Sequence, residues 1–179
     1  MLLVDNGSIY TDILVELLNK RDMSFERKTP GVLDLESLAD FDSFILSGRR
    51  HNDKRTNMIN SRIITHAVNH DKKLLGICYG AEILTLALGG TIKKSPKPRS
   101  GDEMVTAHKT NPLCSGSILV FESHRFEISR LPGDLALLAG SQNCKHEIIG
   151  HKQRLVFGTQ FHPEMSWDGH TLIERFCNL

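Results

Sequence analysis

The sequence predicts an α/β architecture: a mostly parallel open sheet with helices on both faces, continued in the second half by an antiparallel β extension. Three observations predict it. Up to Gly90, short apolar runs alternate with segments whose apolar residues recur at helical intervals, the order expected when helices cover a parallel sheet. From Thr91 onward, β-like segments follow one another without long helices between them, which suits antiparallel pairing. The end of the chain then returns to helical spacing.

Met1 to Val4 is an apolar run broken by Asn6, Gly7 and Ser8, and Ile9, Ile13, Leu14, Leu17 and Leu18 follow at helical intervals. Ser24 to Lys28 is a weaker strand candidate and Phe44 to Ser47 a stronger one, ending at Gly48. Met58 to Val68 has helical periodicity, and Lys73 to Ile77 is the next apolar run. Ala81 to Leu88 reads as a buried helix stopped by Gly89 and Gly90. The second half holds β-like segments at Glu103 to Ala107, Ile118 to Glu122, Leu135 to Ala139, Glu147 to His151 and Leu155 to Gln160. Lys93 to Ser100, with two prolines and four basic residues, reads as an exposed loop. Leu172, Ile173 and Phe176 predict a helix over Asp168 to Asn178, with Asp168 as its cap and Gly169 in its first turn.

A chain of 179 residues with 40% hydrophobic and 24% charged content suits a single globular domain over residues 1–179. With 22 basic against 21 acidic residues, net +1, there is no global field to gather nucleic acid or an anionic membrane. The basic Lys93 to Ser100 segment lacks the interleaved aromatics that stack on bases. No apolar run approaches the roughly 18 residues of a spanning helix, and a basic, then apolar, leader is not evident. The expected setting is cytoplasmic. Cys78, Cys114, Cys144 and Cys177 are widely scattered with no zinc-like spacing, so reduced thiols and no metal are expected.

Only Cys78 asks for a chemical explanation. It stands in Gly76-Ile77-Cys78-Tyr79-Gly80, where a strand gives way to a helix, the form of a nucleophile elbow. Such a turn strains the central residue and needs small residues two positions either side, so that strand and helix can cross closely. The start of a helix also favours a thiolate and offers N–H groups to an oxyanion. On this segment alone, a small buried residue between turn glycines accounts for the pattern equally well. A second motif decides: Gly158-Thr159-Gln160-Phe161-His162-Pro163-Glu164 supplies an imidazole to carry a proton and a carboxylate to orient it. Their distance from Cys78 along the chain is no obstacle, because such partners meet in space.

Together these motifs resemble those of the class I, or triad-type, glutamine amidotransferases: Gly-x-Cys-x-Gly, then His-Pro-Glu far downstream. The resemblance extends to the opening Leu-Val-Asp-Asn-Gly run, Ile45-Leu46-Ser47-Gly48, Leu88-Gly89-Gly90 and Glu122-Ser123-His124. It implies a flavodoxin-like sheet and a glutaminase in which Cys78 attacks the glutamine side-chain amide, His162 is the base and then the acid, and Glu164 orients it. The N–H groups of Tyr79 and of the Gly48 segment, where Arg49 would be the donor, are the implied oxyanion hole. No metal or organic cofactor is implied, and ammonia is expected to pass to a synthetase partner.

Two positions depart from the family pattern. Arg49-Arg50-His51 follows Ser47-Gly48 where the family usually continues Gly-Pro, and the expectation is that both arginines point to solvent. Glu82 stands where glutamine commonly contacts the substrate. Its carboxylate either opposes the thiolate and slows turnover, or is neutralised by a salt bridge to Arg49 or Arg50.

Glu122-Ser123-His124, Asn143-Cys144 and His151-Lys152 are similar to the branch serving archaeal-type GMP synthetase, in which XMP is aminated by a separate ATP-dependent subunit. In that setting Arg125 and Phe126 are candidate substrate contacts, with Phe126 under the glutamine backbone or, alternatively, in the core. His124 is expected to be structural. The glutaminase subunit of anthranilate or aminodeoxychorismate synthase is the competing branch, but its Tyr-His-Ser-Leu segment is absent. A catalytically weakened binding or regulatory module is the third reading, permitted by Arg49 and Glu82.

Overall fold

A computed structural model describes residues 1–179. Strands β1 (Leu2–Val4), β2 (Glu26–Lys28), β3 (Ser43–Leu46) and β4 (Lys73–Ile77) alternate with helices α1 (Thr11–Lys20), α2 (Lys54–Asn69) and α3 (Tyr79–Ala87). After them come β5 (Thr91–Ala107), β6 (Ser117–Arg130), β7 (Leu135–Gly140), β8 (Ile148–His151), β9 (Val156–Thr159) and the closing helix α4 (Trp167–Cys177). All nine strands form one sheet in the order β2-β1-β3-β4-β9-β8-β7-β5-β6. Pairing is parallel from β2 through β9 and antiparallel from β9 outward to β6. The predicted α/β sheet with an antiparallel extension is therefore present.

Why these strands sit centrally follows from their composition. β1, β3, β4 and β9 are almost wholly buried, as strands covered on both faces must be. Alternate residues point to opposite faces. Leu2, Phe44 and Leu74 pack on one face with Ile59, Ile63 and Leu84 of α2 and α3. Leu3, Ile45 and Leu75 pack on the other with Leu14 and Leu18 of α1 and Leu172, Ile173 and Phe176 of α4. None of the helices is long and apolar enough to cross a membrane.

Four local expectations are corrected. Leu155 to Gln160, expected among the antiparallel segments, supplies β9, which pairs parallel with β4 as Leu74↔Val156 through Ile77↔Thr159. Lys93 to Ser100 is no loop but part of β5; its polar side chains are tolerated because most face solvent, and the ladder slips between Lys94 and Arg99. Helix α2 starts before Met58, at Lys54, because Asp53 accepts a hydrogen bond from the Thr56 N–H at 2.7 Å. The cap of α4 is Ser166, which accepts from the Gly169 N–H at 3.1 Å. Asp168 instead accepts from the Leu119 N–H at 2.8 Å, tying α4 to β6. Because the sheet curls, β6 reaches back to the end of β9, where the His162 N–H donates to the Phe121 carbonyl at 2.9 Å.

Candidate active site

The carboxyl ends of β1, β3, β4 and β9 converge, the usual place for chemistry in an open α/β sheet. Cys78 stands between β4 and α3 with φ 50° and ψ −103°, a conformation that L residues adopt only when their surroundings enforce it. The enforcing contacts are local. The Cys78 N–H donates to the Thr159 carbonyl at 2.7 Å, binding the corner to β9. A Cβ on Gly76 would lie 2.4 Å from the Gly80 carbonyl, and one on Gly80 would lie 2.4 Å from the Leu46 carbonyl. Both glycines are thus demanded by backbone-to-backbone crossing, as the sequence predicts.

His162 follows β9 and is buried with Glu164. Its Nδ1–H donates to Glu164 Oε1 at 2.8 Å, which directs Nε2 to the other side of the ring. The Tyr10 ring meets the imidazole edge-on, with centroids 4.6 Å apart. The Cys78 thiol donates weakly to the Ser123 carbonyl at 4.0 Å. It also lies close enough to the His162 imidazole for each group to shift the other's titration. Cys78, His162 and Glu164 therefore form one contiguous group.

Electrostatics couple the first two. Burial pushes the Cys78 thiol above its ordinary value, and neighbouring His162 offsets only part of that. At His162 burial lowers the imidazole, but Cys78 and Glu164 outweigh it and hold the ring well above the ordinary range. Burial thus ties the two charges together: the thiolate forms with an imidazolium beside it.

Two pockets flank this group. One, of about 360 Å³, opens on the thiol and is bordered by Tyr79, Glu82, Arg125 and Phe126. The other, of about 300 Å³, opens on His162. Larger hollows of about 640 and 690 Å³ lie elsewhere, the first near His108 and His146 and the second near Asn111 and His151. Neither contains a member of the Cys78 group. No set of three or more His, Cys, Asp or Glu side chains is arranged to hold a metal ion.

The remaining predicted residues divide. Gly48 lies against His162: a Cβ there would come within 2.9 Å of the imidazole Cε1. Arg50 is exposed, but Arg49 is not aimed at solvent as expected. Its guanidinium stacks 3.8 Å above the Tyr79 ring and donates to Asn57 Oδ1, which also receives the Tyr79 hydroxyl at 2.9 Å. Burial pushes the Tyr79 hydroxyl up to about 12, so it acts only as a neutral donor. Glu82 makes no salt bridge with either arginine; its Oε1 accepts from Gln160 Nε2 at 3.3 Å, and burial raises its pKa. Phe126 is 44% exposed beside the thiol pocket, so it is not a core aromatic. Arg125 is exposed on the same rim.

Three further residues support the site. Gln160, inside the Gly158 to Glu164 segment, bridges Glu82, the Phe126 carbonyl and the Ile128 N–H. Tyr10 braces His162 and donates to Ser123 Oγ at 3.2 Å; nothing in its neighbours along the chain signals this. His124, expected to be structural, donates from Nδ1 to the Phe126 carbonyl at 2.8 Å and places Nε2 2.6 Å from buried Glu122.

Comparison with known proteins identifies the family. A glutamine-hydrolysing GMP synthase subunit from Thermoplasma acidophilum is 32% identical over 167 residues, covering 90% of this chain and 82% of that one. Its counterpart from Methanocaldococcus jannaschii is 28% identical over 186 residues, covering 100% and 96%. A crystal structure of a T. acidophilum protein, provisionally assigned as the same GMP synthase component, superposes with TM-score 0.88 at 27% identity, covering 99% of this chain and 91% of that one. The model of the glutamine amidotransferase class-I family matches residues 2–178, and the chain belongs to that family.

Proposed function

We propose that this chain, acting as one domain over residues 1–179, hydrolyses glutamine to glutamate and ammonia and delivers the ammonia to a synthetase subunit. One observation carries the reading: a thiol held at a strained strand-to-helix corner, within reach of an imidazole whose far nitrogen is fixed 2.8 Å from a carboxylate. In the first half-reaction, Cys78 gives its proton to His162 and its sulfur attacks the glutamine Cδ. The N–H groups of Tyr79 and Arg49 stabilise the oxyanion. The C–N bond then breaks, His162 returns the proton to the leaving nitrogen, and ammonia and a glutamyl thioester result. Water attacks the thioester with His162 as base, releasing glutamate and restoring the thiol. Glu164 holds the imidazole tautomer and stabilises its cation throughout.

The names borne by the relatives support GMP synthesis as the purpose. In that reading the partner is an ATP-dependent synthetase that aminates XMP, and the four unpaired cysteines suit a cytoplasmic setting. The test is labelling with an electrophilic glutamine analogue, followed by peptide mass spectrometry and glutaminase assays with and without the synthetase subunit, XMP and ATP. Labelling confined to Cys78, and lost with Cys78→Ser, is expected. A Cys78→Ser protein that still releases ammonia from glutamine at the parental rate overturns the assignment.

A further inference from the structure

Two pockets meet at the Cys78 and His162 pair, and each opens on only one member of it. The larger contains the thiol and lacks the imidazole. The smaller contains the imidazole and lacks the thiol, and Ser8, Ile9 and Tyr10 line its far side. Arg49, Arg50 and Ser123 border both. Resting on the glutaminase reading, we propose that the smaller pocket is the ammonia exit. Glutamine occupies the sulfur side, and the departing nitrogen leaves past His162 and Tyr10 toward a synthetase opening seated over Ile9.

Stereochemistry is the first support. The leaving nitrogen takes the C–N electron pair and receives its proton from His162, so it must face the imidazole when the bond breaks. The glutamyl group stays bound to sulfur as the thioester and continues to fill the larger pocket. Only the imidazole side is then open. At about 300 Å³ the smaller pocket exceeds by far the space of a water-sized molecule, about 30 Å³ in the liquid.

Wall chemistry is the second. No acidic residue lines the smaller pocket, whereas Arg49 and Arg50 both do. Nearby cations disfavour a further positive charge, so ammonia stays neutral and nucleophilic, and no anionic group waits to trap ammonium. The Tyr10 hydroxyl is already donated to Ser123 Oγ at 3.2 Å, and Ser8 Oγ accepts from the Tyr10 N–H at 3.1 Å. Ile9, which lines this pocket, is 64% exposed, and in this arrangement it is the side chain that the synthetase covers.

The test is Ile9→Trp assayed in the complex at saturating synthetase subunit, with Phe126→Trp in the larger pocket as the comparison. For Ile9→Trp, glutamate release within about twofold of the parent is expected, while glutamine-supported synthesis falls about fivefold or more. Synthesis supported by added ammonium salt is unchanged, and the missing ammonia appears in solution. Phe126→Trp raises KM for glutamine and leaves the ratio of aminated product to glutamate intact. An unchanged ratio in Ile9→Trp, equal losses with glutamine and with ammonium salt, or a lowered ratio in both variants overturns the exit. Absence of glutamine hydrolysis in the parent complex overturns instead the reading on which it rests.

Discussion

The corner between β4 and α3 and the curled ribbon from β5 to β8, whose strand β6 borders the same site, are built by different physics. At the corner, backbone crosses backbone, and the cost of a wrong residue is steric. In the ribbon, buried charges face one another, and the cost of a wrong residue is electrostatic. Glu122, His124 and Glu147 are all buried there, and the charge of Glu122 bears on Glu147. Glu122 Oε2 lies 2.6 Å from His124 Nε2, while Glu122 Oε1 and Glu147 Oε2 have no hydrogen-bond partner. Buried atoms of this kind are tolerated when a shared proton replaces the missing donor. The same fold thus uses glycine where the walls must touch and a proton where they must not repel.

The corner is the place to break first. Gly80→Ala sets a Cβ 2.4 Å from the Leu46 carbonyl, a backbone atom in a central strand. A loss of about 3 kcal/mol or more is expected, with loss of glutaminase activity; denaturant unfolding and turnover measure the two. A Gly80→Ala protein of parental stability would show that the crossing can relax. Glu164→Gln probes charge at the same site without steric change. Removing the carboxylate leaves the imidazolium unsupported, and a fall in kcat of roughly 10² to 10⁴-fold at near-parental stability is expected.

How readily each region is read from sequence follows from the same contrast. Gly76 and Gly80 at fixed offsets from Cys78 report a steric demand that only glycine meets, so the elbow is visible in five residues. His162 and Glu164 are two residues apart and announce their pairing. The passage of β9 between β4 and β8 is invisible, because Val156 to Thr159 has the same apolar texture as the antiparallel strands beside it. Strand β5 hides behind its charges, since Lys93 and Lys94 face solvent while Ser95 turns inward and donates to Glu127 at 2.8 Å. Tyr10 meets His162 and Ser123 across long stretches of chain, and no local spacing encodes that.

The ribbon is tested by pH. Burial first, then Glu122, pushes Glu147 up to about 10, far above the unfolded value of about 4.3. Ser141, whose hydroxyl donates to Glu147 Oε1 at 2.7 Å, opposes this, and Glu103 adds to it. The folded state therefore holds a proton that the unfolded state releases across that window. Its stabilising contribution is complete below the unfolded value and is lost as pH rises toward the folded one. The melting temperature should fall as pH rises from about 5 to about 9, and Glu147→Gln, which needs no proton, should show a shallower fall. Equal slopes in parent and variant would rule out the shared proton.

The smallest effect belongs to Glu82, where the two regions touch: it stands on α3 and accepts from Gln160 Nε2 at 3.3 Å, and that same amide nitrogen donates to the Phe126 carbonyl of the ribbon. Burial is the largest influence on it and raises its pKa, while Gln160, Arg49, His124 and His162 pull the other way. In its protonated form the side chain is close to an amide in shape and charge. When it ionises, its carboxylate opposes the thiolate, since a negative Glu82 raises Cys78. The raised pKa delays that ionisation, so the penalty appears only as pH rises. Glu82→Gln should leave kcat/KM within about threefold of the parent at the acidic end of the activity range, with the variant gaining ground as pH increases. Paired pH profiles decide it: a constant ratio across the range would mean that Glu82 never changes charge during turnover, and that the ribbon's carboxyl chemistry stops short of the corner.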